Sequence, residues 1–329
     1  MSKTTNILLF GATGLIGKHI TSAILAAAAQ ENWTVTIFTS PETASSKTQL
    51  ISDLKTRGAK IITGDFTNTQ DVNAAYAGVD TVVSALGRPV IDKQVLLVEL
   101  ADKHKDVKRF LPSEYGTDIE YSPQSKDEKP HQMKLKVRAA IRAAKDLEHT
   151  FVVTGPYGDA DKALYLSASP EGMDRIGTYD VANQRAVVAG DGEGRISLTS
   201  MRDVGKFVVG ALRHPEAAKD KALKVNSFTT TPKELVAEFE RQTEAPPGSW
   251  SISYVPLDKL RGLEKEAWEE GNPAAGAFTL RRIWAEGGTL YEARDNAAVG
   301  LEEGIDNLES AIKQAVEVQR GRSGEVGKL

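Results

Sequence analysis

Short apolar runs alternate with stretches of helical spacing along the first half of the chain. The runs Asn6–Phe10, Thr34–Phe38, Lys60–Thr63, Thr81–Ser84, Arg109–Leu111 and Thr150–Val153 read as strands covered on both faces. Between them, apolar residues recur at three- and four-residue spacing near 17–30, 47–57, 70–77, 91–104 and 132–146, which predicts helices. Right-handed crossovers between such strands bury both faces of a parallel sheet under helices. The pattern therefore predicts an α/β chain with a doubly wound parallel sheet, the Rossmann arrangement.

The rhythm breaks after residue 155. Gly155-Pro156-Tyr157-Gly158 is a turn signal, and Pro246-Pro247-Gly248 a loop. Arg195–Leu198 and Leu223–Asn226 read as strands returning late to the sheet edge, Pro232–Arg241 as a helix, and the residues leading up to Gly321 as another. The expected division is a cofactor-binding domain of residues 1–155 plus about 195–228. A smaller α+β substrate lobe would take about 156–194 and 229–329.

Composition narrows the classes. A chain of 329 residues is long enough for one large core and a second lobe. A net charge of −4 provides no broad positive field for nucleic acid or an anionic membrane. The absence of cysteine excludes disulfide and thiolate chemistry and fits a reducing, cytoplasmic setting. The apolar run Ile7–Phe10 is too short for a signal peptide, and no stretch approaches the ~20 apolar residues of a membrane span.

The first predicted strand runs into Gly11-Ala12-Thr13-Gly14-Leu15-Ile16-Gly17, which opens the first helix. Gly11 permits the tight turn, Gly14 lets backbone approach a diphosphate, and Gly17 allows helix to pack on strand. The loop amides of Thr13, Leu15 and Ile16 and the positive helix end then face the phosphates. Enzymes that use NAD place a carboxylate at the end of the second strand. Here that position reads Phe38-Thr39-Ser40-Pro41. The hydroxyls of Thr39 and Ser40, with Lys47 for charge, suit a 2′-phosphate, so the expected cofactor is NADP(H). Asp65 and Phe66 follow the third strand, where an adenine would lie. Ala85 and Leu86 follow the fourth, where small residues leave room for the cofactor.

None of the eight tyrosines has lysine four residues later, so the Tyr-x-x-x-Lys dyad of many short-chain reductases is absent. No His, Asp or Glu cluster has metal-ligand spacing, and no metal site is expected. The five histidines are scattered and read as packing or surface residues. Lys134 remains. It lies in the first turn of a helix announced by Pro130, with Val137, Ala140, Ile141 and Ala144 as the buried stripe. A helix N-terminus and partial burial both lower a lysine pKa and suit it to proton transfer.

Four stretches resemble the NmrA-like superfamily, within it the isoflavone reductase-like group: Gly11–Gly17, Val107–Gly116, the lysine helix to Ile141, and Gly190-Asp191-Gly192 through Asp203-Val204-Gly205. The resemblance implies an NADPH-dependent reductase of a small aromatic or phenolic substrate, a monomer or homodimer, with Lys134 as the active-site lysine. It also implies cofactor contacts from Gln94, Ser113, Pro156 and Tyr157. Some members of the superfamily sense NADP without catalysis, which is the alternative. This chain departs from the group at Thr39, where the group has arginine, at Tyr115, where it has phenylalanine, and around Trp250, Trp268 and Trp284.

Overall fold

The computed structural model describes residues 3–161 and 163–326, with side chains described as far as Gly321. In chain order the first half contains strands β1 (Asn6–Phe10), β2 (Thr34–Thr39), β3 (Lys60–Thr63), β4 (Thr81–Ser84), β5 (Arg109–Leu111) and β6 (Glu148–Val153). Its helices are α1 (Gly17–Glu31), α2 (Pro41–Ser46), α3 (Thr48–Thr56), α4 (Thr69–Tyr76), α5 (Gln94–Lys103) and α6 (Gln132–Ala143). The second half holds β7 (Thr178–Asp180), β8 (Arg185–Ala189), β9 (Ile196–Leu198), β10 (Lys221–Lys224), β11 (Phe228–Thr230) and β12 (Ser251–Val255). It also holds α7 (Met201–Arg213), α8 (Pro215–Ala218), α9 (Pro232–Gln242), α10 (Leu257–Glu269), α11 (Ala275–Ala285) and α12 (Leu308–Val326).

Seven parallel strands form the main sheet in the order β10-β6-β5-β4-β1-β2-β3. Its strands are continuous apolar runs because alternate side chains enter two separate cores. Ile7 and Leu9 of β1 join the core under α1 and α7, while Leu8 and Phe10 join the one under α4, α5 and α6. Val83 and Leu111 face the first core, Val82 and Phe110 the second. β1 lies between β2 and β4, so the direction of winding reverses there. In an open α/β sheet that reversal leaves a crevice at the carboxyl ends of the strands.

Of the two late strands expected at the sheet edge, only one goes there. β10 pairs with β6, whereas β9 pairs antiparallel with β11 in a separate two-stranded sheet. The pleat of β9 sends Ile196 and Leu198 into a third core with Tyr179, Phe239 and Trp250. A three-stranded sheet, β12-β8-β7, and helices α10 and α11 complete the smaller lobe. Those elements were not read from the sequence, although Leu260, Leu263 and Ala267 carry helical spacing. Helix α9 follows a capping box of Thr231 and Glu234 with Pro232 in its first turn. The last helix begins later than its pattern suggested and runs through Gly321. No helix among the described residues is long and apolar enough to cross a membrane.

Candidate active site

The β1–α1 loop closes against the end of β4. Gly11 has φ +74°, and a Cβ on it would sit 2.5 Å from the Ala85 carbonyl oxygen. A Cβ on Gly17 would lie 1.9 Å from the Gly11 carbonyl oxygen. Gly14 is less confined than these two, although an added Cβ would still press on the Gly11 carbonyl oxygen at 3.3 Å. A methyl group at Gly14 would enter the cleft of about 290 Å³ that Gly14, Leu15, Ile16, Ala85, Leu86 and Ser113 line with Lys134 and Tyr157. Helix α1 begins with no side-chain cap and no acidic residue in its first turn. The amides of Leu15 and Ile16 meet no acceptor among the described residues. Free amides, a positive helix end and an open cradle fit the diphosphate of a dinucleotide.

Alanine at Gly17 is expected to lower the melting temperature, because overpacking of this kind costs ~1–3 kcal/mol. It should also abolish the rise in melting temperature on adding NADPH. An unchanged transition with intact cofactor stabilisation would contradict the close approach of helix and loop.

The residues proposed for the adenosine end divide. Lys47 lies between α2 and α3, and its Nζ reaches back to the Thr13 carbonyl oxygen at 3.2 Å and the Thr13 hydroxyl at 3.4 Å. Thr39 is buried at the end of β2. The Ser40 hydroxyl caps α2, accepting from the Thr43 amide at 3.1 Å and donating to Thr43 Oγ1 at 3.0 Å. Lys47 thus stands as a cation beside the glycine loop. Asp65 folds an exposed turn, accepting from the Thr67 amide and hydroxyl at 2.8 and 2.7 Å, which hold its carboxyl below the usual range. Helix α4 is capped by Asn68, not by Asp65, and Phe66 packs partly into the second core.

Lys134 stands in the first turn of α6, where its Nζ donates to the Glu114 carbonyl oxygen at 2.7 Å. Burial pushes its pKa down to about 8; Arg88 and Arg138 push the same way, against Glu114 and Asp118. One turn on, Arg138 binds both carboxylate oxygens of Glu114 at 3.1 Å, and each residue is only 1% exposed. Arg138 also donates to Glu120 at 2.5 Å and lies 4.6 Å above the Phe151 ring. The Glu114 carboxylate thus ties its loop to α6, and the Glu114 carbonyl holds the lysine amine.

Beyond Lys134 lies a second cavity of about 300 Å³. Ile119, Leu164, Tyr165, Leu280 and Trp284 give it an apolar and aromatic wall, and Pro156 contributes to its rim. It shares Arg88, Tyr115, Lys134 and Tyr157 with the cofactor cleft. The Tyr157 hydroxyl donates to the Tyr115 carbonyl oxygen at 2.8 Å. His131 also lines the second cavity, with Nδ1 donating to the Ser125 carbonyl oxygen at 2.9 Å and Nε2 unpartnered. Burial keeps that imidazole below its ordinary pKa and therefore neutral.

Gln94 lines neither cavity. It is fully buried, accepting from the Ser113 amide at 2.8 Å and donating to the Ile91 carbonyl oxygen at 3.0 Å. Its contact with the site runs through Ser113, whose hydroxyl donates to the Leu86 carbonyl oxygen at 2.9 Å. Arg88, Tyr115, His131 and Trp284 were missed as site residues. Their signals are tertiary: α11 carries Trp284 to the Thr117 hydroxyl at 2.9 Å, 167 residues away in the sequence. Trp250 belongs to the third core, and Trp268 donates to Thr279 at 2.9 Å. Among the described residues no group of three or more acidic or histidine side chains could hold a metal ion. A cavity of about 640 Å³ beside α1 and α7 lies away from this junction, and one of about 1000 Å³ within the smaller lobe meets the aromatic cavity at Tyr165 and Trp284. Convergent polar groups mark a ligand site better than size does.

A phenylcoumaran benzylic ether reductase of Pinus taeda is 30% identical over 80% of this chain and 82% of its own length. A leucoanthocyanidin reductase–NADPH complex from Vitis vinifera superposes with a TM-score of 0.76 at 20% identity, covering 95% of this chain and 99% of that one. A structure described as AtPrR2 with NADP+ and (+)pinoresinol gives 0.75 at 25% identity over 96% and 100% of the two chains. The model of the NmrA-like family matches residues 3–261, and the chain belongs to that family.

Proposed function

We propose that this chain is an NADPH-dependent reductase of small aromatic, phenylpropanoid-like substrates, in which Lys134 assists the chemistry. The observation that carries this reading is the Lys134 amine, held where the cofactor cleft meets an aromatic cavity. The relatives support it: they are named reductases, and the AtPrR2 structure contains NADP+ and pinoresinol. The amides at Leu15 and Ile16 and the start of α1 would hold the diphosphate. Lys47 would pair with the 2′-phosphate. Bound there, NADPH supplies the reducing electron pair. Lys134 holds a proton at Nζ and delivers it to, or hydrogen-bonds, the oxygen on which charge develops. Leu164, Tyr165, Leu280 and Trp284 keep water from that oxygen. A cofactor sensor would need the cradle, but no amine in the aromatic cavity. The proposed setting is the cytosol, as a monomer or homodimer without a nucleic-acid partner, which the net charge of −4 and the lack of cysteine support.

Rapid mixing of the NADPH-loaded protein with a panel of phenylpropanoids tests the activity. At least one is expected to drive NADPH oxidation in a single turnover. A protein that binds NADPH but oxidises it with none of them is not this reductase. Lys47→Glu is expected to weaken NADPH binding ~10-fold or more and leave NADH little changed, since a charge-assisted phosphate contact is lost and a repulsion gained.

A further inference from the structure

We infer that the substrate carries a carboxylate, and that Arg88 is the residue that binds it; the inference rests on the reductase reading above. Arg88 follows β4 and opens the 3-10 turn Arg88–Lys93, with Pro89 as its second residue. Together with Lys134 it lines both the cofactor cleft and the aromatic cavity. No hydrogen bond or ion pair joins the Arg88 guanidinium to any described residue.

The neighbouring carboxylates are engaged elsewhere. Glu114 takes both its hydrogen bonds from Arg138 at 3.1 Å. Asp118 faces Lys224 at 3.2 Å. Glu128 receives the same Arg282 nitrogen at 2.7 Å on each oxygen. His131 is neutral, with its one N–H directed at Ser125. Two cations, Arg88 and Lys134, therefore share one end of a small cavity with no anion facing them.

The apolar part of the lining includes Leu164, Tyr165, Leu280 and Trp284. A volume of about 300 Å³ lies at the small end of ligand sites, which suits one substituted ring. A guanidinium is weakly hydrated and presents paired donors that match a carboxylate. A ring against the aromatic wall and an acid group on Arg88 satisfy both halves of the cavity. The diphosphate has donors without Arg88, in the unpartnered amides of Leu15 and Ile16 and the uncapped start of α1. The ligand class is thus a single-ring aromatic acid of the cinnamate type.

Calorimetric titration of trans-cinnamate and methyl trans-cinnamate into the NADP+-saturated protein at neutral pH tests this without turnover. Cinnamate is expected to bind ~10-fold or more tightly than its ester. Arg88→Gln should erase that preference and leave the ester's affinity unchanged, and Arg88→Lys should keep part of it. Arg88 is exposed at the rim, so an unchanged circular dichroism spectrum is expected for both variants. Equal affinities in the native protein, binding of neither probe, or a preference that survives Arg88→Gln overturns the inference. So does a loss of NADP+ affinity in Arg88→Gln with the probe preference intact, which assigns the residue to the cofactor. Failure of the native protein to bind NADP+ defeats the reductase reading itself, and the inference with it.

Discussion

Replacing Lys134 with alanine is expected to lower kcat by ~10²–10⁴-fold, the range of positioned proton transfer, while NADPH binding changes little. The amine is the one titratable group of the cleft whose pKa, about 8, is matched to neutral conditions. A neutral-pH proton donor must be charged in the resting enzyme, so the rate should be flat below that value and fall as pH rises through it. Arginine at this position keeps the charge, but its pKa stays far above the working range, and it should not restore the falling limb. Undiminished turnover of Lys134→Ala on a phenylpropanoid would falsify the assigned role.

The same depressed pKa acts on folding. The unfolded chain binds a proton at Lys134 up to the ordinary lysine value of 10.5, the folded chain only to about 8. Between those two values the unfolded state holds more protons, so this group makes stability rise with pH across that window. Lys134→Met should be more stable than the native chain near neutral pH and inactive. A loss of stability on that substitution would show that the amine contributes more through its Glu114 contact than burial costs it.

The second large effect is on stability. Arg138→Met is expected to cost ~3–5 kcal/mol, because it leaves the Glu114 carboxylate buried and uncompensated. Denaturant unfolding at constant m-value reads this as a lower midpoint. The double variant Glu114→Gln with Arg138→Met should recover most of the loss, since neither buried charge then remains. In the single variant kcat should also drop, because the Glu114 carbonyl that holds Lys134 lies in the loop that Arg138 anchors. A midpoint unchanged by Arg138→Met would mean that Glu114 is solvated in solution.

The main sheet was legible because each strand feeds two cores, so its residues appear as unbroken apolar runs such as Ile7-Leu8-Leu9-Phe10. The glycine loop was legible because sterics at Gly11 and Gly17 admit no side chain. Lys134 could be found from its helix start, but Arg88 and Tyr115 could not, since their place beside it depends on loops after different strands. Much of the smaller lobe escaped because β7 and β11 span three residues each, too few for a period to register, while β9 was read as a strand but expected in the wrong sheet. Ser40 was assigned to a phosphate although Ser40-Pro41 is also a helix-start signature, and the cap takes its hydroxyl. Gln94 has the position its resemblance implied along the chain, but it supports the site from beneath.

The route of the chain has a bearing on engineering. β10 completes the edge of the large sheet only after the polypeptide has visited the smaller lobe, and β9 and β11 straddle that return. A fragment ending at Val153 would expose β6 as a bare rim of unpaired amides and carbonyls, an invitation to intermolecular stacking. Specificity in this scaffold is therefore not a detachable cassette: chimaeras must be cut on both sides of β10, or evolved in place by changing the residues that surround Trp284.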